Sequence, residues 1–105
     1  MTESKLQPPL VDRQQLRELA ASGQPVIIID VRSAEEFAAG TVQGAIHVPA
    51  DQLNEKAADL PKNATIVTVC NYGGARSCGA AEQLRSIGFE KAAALKGGVR
   101  GPSST

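Results

Sequence analysis

The chain has 105 residues, of which 42% are hydrophobic, 21% charged and 3% aromatic, with a formal net charge of zero. That describes one folded domain of ordinary size, and the neutral, aromatic-poor balance gives no support to a nucleic-acid or membrane-surface role. No apolar run reaches bilayer length, and two cysteines are too few for a disulfide framework, so the expected setting is a reducing cytoplasm.

Residues 1–8 read as a flexible lead without the basic-then-apolar pattern of a secretory signal. Leu10-Val11 is a candidate edge strand, and Asp12 with Gln15 three positions on is a capping signal for a helix over Arg13–Ala21. Leu16, Leu19 and Ala20 give that helix one apolar side, and Gly23 ends it. Pro25 then leads into Val26-Ile27-Ile28-Ile29-Asp30, a β-branched run expected to be a strand buried on both faces.

Ser33 and Glu36 form a second capping box, for a short helix ending at Ala39 with Phe37 as its core anchor and Gly40 as terminator. Ala45–Val48 is predicted to be a short strand, and Asn54–Leu60 a helix. Thr65–Val69 is the next β-branched strand, and it delivers Cys70 into Asn71-Tyr72-Gly73-Gly74-Ala75. The following helix, opened by Arg76-Ser77, is predicted to run to Ile87 with Ala80, Ala81, Leu84 and Ile87 on its buried side. Lys91–Leu95 is a last strand and Gly97-Gly98 a turn; residues 99–105 form a flexible tail to the domain at 9–98. Strands alternating with helices over short links predict one open, mainly parallel five-stranded α/β sheet flanked by helices.

In such a sheet ligands bind beyond the carboxyl ends of the strands, where both Asp30-Val31-Arg32 and Cys70–Arg76 fall. A cysteine between a strand end, two glycines and a helix start is placed for a lowered thiol pKa. The same amides make a nest for an anion. Cys70 is therefore the candidate nucleophile, with no histidine near it in sequence to act as base. Arg76 lies in the first helical turn, where a cation opposes the helix dipole unless an anion in the loop, or a salt bridge to Glu82 or another acid, compensates. Asp30 and Arg32 are expected mainly as scaffold, Asp30 capping nearby amides and Arg32 pairing with Glu35 or Glu36. His47 is expected to pack or bond locally. Cys78 is structural filler or a resolving redox partner. His47, Cys70 and Cys78 complete no typical zinc set, so no metal is expected.

Three blocks, VIIIDVRSAEEFAAGTVQGAIHVP, VCNYGGARSCGAAEQLRSIGF and LKGG, resemble in this order the single-domain rhodanese-like sulfurtransferases over about residues 9 to 98. The resemblance implies that Cys70 is the persulfide-forming cysteine and that Asn71, Tyr72, Gly73, Gly74, Ala75 and Arg76 form the substrate-cradling loop. Asp30, Arg32 and Ser77 are supporting residues on the same ground. It also implies a small sulfur-donor anion such as thiosulfate, and as acceptor cyanide or a thiol, including a thioredoxin-like or other protein thiol.

The chain departs from the common family pattern in four ways. The loop from Cys70 to Arg76 is one residue longer, and its Cys-x5-Arg spacing is shared with related phosphatases and arsenate reductases, although its Gly-Gly interior holds no acid. The usual Gly-His-Ile-Pro-Gly-Ala turn reads Gly40-Thr41-Val42-Gln43-Gly44-Ala45. Asn71 is neutral where a basic residue is common, which reduces attraction for a dianionic donor. The closing helix that carries a tryptophan is replaced after Gly98, leaving one side of the sheet less covered. Three functions follow in order of expectation: a sulfurtransferase, a Cys-x5-Arg phosphatase or arsenate reductase, and a non-enzymatic sulfur-carrying or redox-sensing module.

Overall fold

The computed structural model describes residues 10–72 and 74–99. The expected lead at 1–8 and all of the expected tail but Val99 lie outside them, as does Gly73. The β-branched runs form the centre of the sheet: β2 (Val26–Asp30) pairs in parallel with β4 (Thr65–Val69), Ile28 opposite Val67. On one side β4 meets β5 (Ala92–Leu95), which meets β1 (Leu10–Val11); on the other β2 meets β3 (Ile46–His47). The order β1-β5-β4-β2-β3 makes a five-stranded sheet in which every pairing is parallel. Both central strands point their carboxyl ends to the same edge, so Asp30 and Cys70 arrive side by side.

Side chains alternate across the sheet with the period of two that a strand imposes. Val67, Val69 and Leu95 meet Leu16 of α1 (Arg13–Ala21) on one face. Ile29, Ile66, Ala92 and Ala94 meet Ala80, Ala81, Leu84 and Phe89 on the other, together with Leu53 and Ala57 of α3 (Leu53–Ala57). Small residues on both β5 and α4 (Ala75–Ser86) let that helix lie close against the sheet. Both predicted capping boxes are present, Asp12–Gln15 on α1 and Ser33–Glu36 on α2 (Ala34–Ala39). No helix among the described residues is long and apolar enough to cross a membrane.

Four local expectations are corrected. Phe37 is no core anchor: α2 contributes no buried residue, and Phe37 stacks half-buried on His47 with ring centroids 4.9 Å apart. Ile87 falls at the C-cap of α4 and is 37% exposed, because Phe89 takes the buried place and returns its amide to Leu84 O at 3.0 Å. The helix expected over Asn54–Leu60 is a 3-10 turn at Ala50–Gln52 continued by the short α3, which ends earlier. Finally β2 is not fully covered on both faces, since Val26, Ile27 and Ile28 are half-buried and only Ile29 and Asp30 are buried.

Candidate active site

Cys70 follows the last residue of β4 and is only 4% exposed. Its Sγ stands 3.2 Å from the Oγ of buried Ser77, one turn into α4. Gly74 is the N-cap of that helix and offers no side chain to its first amides, and the first turn carries no acid. Those amides are therefore available to the sulfur. Burial pushes the Cys70 thiol up, but the Ser77 hydroxyl and the backbone N–H groups of Ser77, Gly74 and Tyr72 outweigh it, leaving the pKa below the usual thiol value.

The geometry depends on Thr68. A hydroxyl on a fully buried strand must find an acceptor, and Thr68 Oγ1 donates to Ser77 O at 2.7 Å, with Ala93 O at 3.3 Å. That bond fixes the first turn of α4 against β4 and so holds Ser77 beside Cys70. Ser77 Oγ also lies 3.4 Å from Gly74 O, to which its proton points when the sulfur is a neutral thiol. Rotation of the hydroxyl delivers the proton to a thiolate.

A polar chain runs from the end of β2 into the loop. Asp30 receives Arg32 Nε at 3.0 Å, Arg32 Nη2 at 2.8 Å, the Arg32 backbone amide at 3.0 Å and Thr41 Oγ1 at 2.6 Å. Burial raises the Asp30 pKa, yet these donors win and hold it below the ordinary carboxylate value. Arg32, 2% exposed, also donates to Gly40 O at 2.6 Å and, through Nη1, to Asn71 Oδ1 at 2.9 Å. Arg32 is thus saturated by Asp30, Gly40 and Asn71 and makes no ion pair with Glu35 or Glu36, contrary to expectation. Asn71 in turn donates from Nδ2 to Glu36 Oε2 at 3.0 Å. Glu36 closes the chain by accepting from Arg76 Nη1 at 3.3 Å. The cation at the start of α4 is therefore compensated by Glu36 of α2 rather than by Glu82.

The loop is backed by the turn after β5. Gly98 has φ +62°, and a Cβ there would overlap the Cys70 carbonyl oxygen and stand 2.6 Å from Asn71 C and O. The Val99 amide donates to that Cys70 oxygen at 2.9 Å, and Arg13 Nη2 ties the turn down through Gly98 O at 2.9 Å. Among the other residues singled out in the loop, Tyr72 points to solvent at 67% exposure and Ala75 is exposed as the first residue of α4. His47 Nε2 lies 2.8 Å from Arg32 O, a local bond. Cys78 is half-buried, and burial together with the charges of Cys70 and Glu82 pushes its thiol up, the reverse of Cys70. Thr68, Glu36, Gly98 and Val99 were not foreseen as parts of the site. Only Thr68 carries a readable signal, as a hydroxyl between two valines in the interior of an apolar strand.

The model of the rhodanese-like domain matches residues 12–104. The chain belongs to the rhodanese family. A sulfurtransferase of Allochromatium vinosum is 28% identical over 89 residues, covering 85% of this chain and 82% of that one. The human single-domain sulfurtransferase TSTD1 superposes with TM-score 0.74 at 33% identity, covering 88% of this chain and 92% of that one. A tRNA uridine(34) hydroxylase of Xanthomonas euvesicatoria is 34% identical over 104 residues. This chain spans only 42% of that hydroxylase's length. In this rhodanese-family fold, the buried cysteine at the end of β4 beneath the first turn of α4 is consistent with a sulfurtransferase-type active site.

Proposed function

We propose that this rhodanese-family protein is a sulfurtransferase that carries sulfane sulfur on Cys70. The observation behind the reading is the buried Cys70 sulfur 3.2 Å from the Ser77 hydroxyl at the start of α4, where that hydroxyl and the amides of Tyr72, Gly74 and Ser77 lower the thiol pKa. A site that stabilises a thiolate also stabilises a persulfide anion, which has the same charge one bond further out. The Cys70 thiolate attacks the outer sulfur of thiosulfate or of another persulfide. The S–S bond of the donor breaks, and sulfite or a thiolate leaves with the electron pair. An acceptor then attacks the outer sulfur of the Cys70 persulfide: cyanide leaves as thiocyanate, and a small or protein thiol, including a thioredoxin-like one, leaves as a persulfide. Cys70 returns as thiolate, and neither half-reaction requires a metal or organic cofactor. A thiol used in this way fits a reducing compartment such as the cytoplasm.

In this reading Asn71, Tyr72, Gly73, Gly74 and Ala75 supply the cradle, Ser77 the hydroxyl, and Asp30 and Arg32 the support for Asn71. Against hydrolysis of phosphate esters, or reduction of arsenate, stands the pairing of Arg76 with Glu36, since a tetrahedral oxyanion on a Cys-x5-Arg loop needs that guanidinium. Intact-mass measurement after exposure to thiosulfate and to an organic persulfide tests the proposal. The wild type is expected to gain one sulfur, removable by cyanide or dithiothreitol, and Cys70→Ser none. A wild type left unmodified by both donors, together with Cys70-dependent phosphate release from an ester, overturns it.

A further inference from the structure

Arg76 is the one arginine of the Cys70 loop, yet it does not stand ready for an anion. Glu36 meets it at 3.3 Å and 3.5 Å with both carboxylate oxygens, and the same carboxylate grips Asn71 Nδ2 at 3.0 Å. The second cation near the sulfur, Arg32, is equally occupied, paired with Asp30 and shut away from solvent. Arg13, behind the loop, is directed to the carbonyls of Gly98 and Val99. Asp30 is thus the ion-pair partner of Arg32, and Glu36 that of Arg76. An open cleft of about 260 Å³ is lined by Arg32, Glu36, Ala39, Gly40, Thr41 and Val99, and it adjoins the loop through the bonds of Arg32 and Glu36 to Asn71, of Glu36 to Arg76 and of the Val99 amide to Cys70 O. With Arg32 buried, the ionised side chain that cleft presents to an incoming molecule is Glu36, 30% exposed. Its amide and guanidinium partners keep it ionised: the Ser33 amide foremost, then Arg76 and Asn71, hold its pKa down to about 2.

We infer that Glu36 is a specificity-determining residue of the Cys70 site, which selects sulfur donors carrying at most one negative charge and disfavours dianions such as thiosulfate. The inference rests on the sulfurtransferase reading and refines its donor. The physical basis is Coulombic: a dianion feels twice the repulsion a monoanion feels from the same carboxylate, and it finds the balancing guanidinium already engaged. Glu36 touches neither the sulfur nor any reacting atom in this account, and it acts by placing a negative charge against the loop at Asn71 and by occupying Arg76.

Thiosulfate and methanethiosulfonate separate charge from chemistry. Both present a terminal sulfane sulfur bound to sulfonyl sulfur, and a methyl group in one replaces an anionic oxygen of the other. With either, the Cys70 thiolate forms the new S–S bond as the old one breaks, releasing sulfite from the first and methanesulfinate from the second. The test measures the rate of Cys70 persulfide formation by quenched intact mass with each donor, in the wild type and in Glu36→Gln. Glutamine at this position keeps the capping box through its one amide oxygen and gives up the bond that the second carboxylate oxygen accepts from Asn71, a loss common to both donors; the fold of α2 is checked by thermal melting. Glu36→Gln is expected to raise the thiosulfate rate by roughly three- to tenfold, and the methanethiosulfonate rate by about the square root of that factor. Added salt should narrow the difference between the two donors. Arg76→Gln, which bares the carboxylate, should lower the thiosulfate rate below the wild type and affect methanethiosulfonate less.

A purely structural role for Glu36 would change both donors by the same factor, whatever its size. A thiosulfate-to-methanethiosulfonate ratio that is the same in Glu36→Gln as in the wild type overturns the inference and leaves the sulfurtransferase reading standing. Failure of thiosulfate, methanethiosulfonate and an organic persulfide alike to load Cys70 in every variant overturns the reading itself, and the inference with it.

Discussion

Gly98→Ala is expected to disable the site from behind, by pressing on the backbone that carries it. The added Cβ would overlap the Cys70 carbonyl oxygen and lie 2.6 Å from Asn71 C and O, where ordinary contact needs roughly 3.5 Å. These are backbone atoms of Cys70 and its neighbour, so relief requires the Cys70–Asn71 peptide or the Gly98 turn to move by about 1 Å. Displacement of that size at a reacting centre costs about a hundredfold in rate. A separate cost arises because alanine at φ +62° is disfavoured by about 1–2 kcal/mol, or about 4–8 °C of melting temperature per kcal/mol in a domain of this size. Gly23→Ala separates the two effects. Gly23 has φ +85° with nothing within 4 Å of an added Cβ, so it carries the backbone cost alone. The assay is the rate of Cys70 persulfide formation alongside thermal melting. Both variants should melt lower, and only Gly98→Ala should load slowly. Wild-type loading by a folded Gly98→Ala would refute the claim that this turn positions the loop.

Ser77→Ala should raise the Cys70 pKa, because the side-chain donor to the sulfur is lost while burial remains. The pH profile of iodoacetamide alkylation should move upward and the rate at neutral pH fall by about tenfold; an unmoved profile would show that the amides alone hold the thiolate. Asp30→Asn removes the partner of a buried arginine, at a cost of about 3–5 kcal/mol. The pH dependence of stability gives a further check through the sign of the Asp30 shift. Its pKa is lowered on folding, so the unfolded chain takes up the proton first as pH falls. The stability contributed by the ionised group is present in full above the unfolded carboxylate value, about 4, and is lost as pH drops through the folded one. Denaturant titrations should therefore show a shallower acid decline in Asp30→Asn than in the wild type, and equal slopes would contradict the assignment.

The parts of the fold legible in the sequence were those set by short-range physics. The capping pairs Asp12–Gln15 and Ser33–Glu36 mark helix starts because their bonds close within one turn. The runs Val26–Asp30 and Thr65–Val69 mark central strands because β-branched residues fit a pleated, covered surface. Partner choice across the fold was not legible. Arg32 has Asp30, Glu35 and Glu36 all within four residues in sequence, and only the closing of β2 over Gly40 and the loop selects Asp30. Arg76 is separated from Glu36 by 40 residues, and no local pattern distinguishes that acid from Glu82. Phe37 and Phe89 illustrate the same gap. Both sit beside a helix end with an apolar neighbour, but α2 lies at the margin of the sheet whereas Phe89 folds back over Leu84 into the core. Gly98 reads in sequence as a turn glycine, and its tighter requirement comes from the Cys70–Asn71 peptide pressed against it.

The central claim is that Cys70 carries the transferred sulfur as an intermediate, and a single turnover tests it most directly. The protein is loaded with a sulfane donor, freed of that donor and mixed rapidly with cyanide, and thiocyanate and protein mass are followed together. The account predicts one equivalent of thiocyanate per loaded chain, formed as the added sulfur leaves Cys70 and at least as fast as steady-state turnover with the same donor. Thiocyanate formed equally well by Cys70→Ser, or a persulfide that releases its sulfur more slowly than the protein turns over, would contradict it.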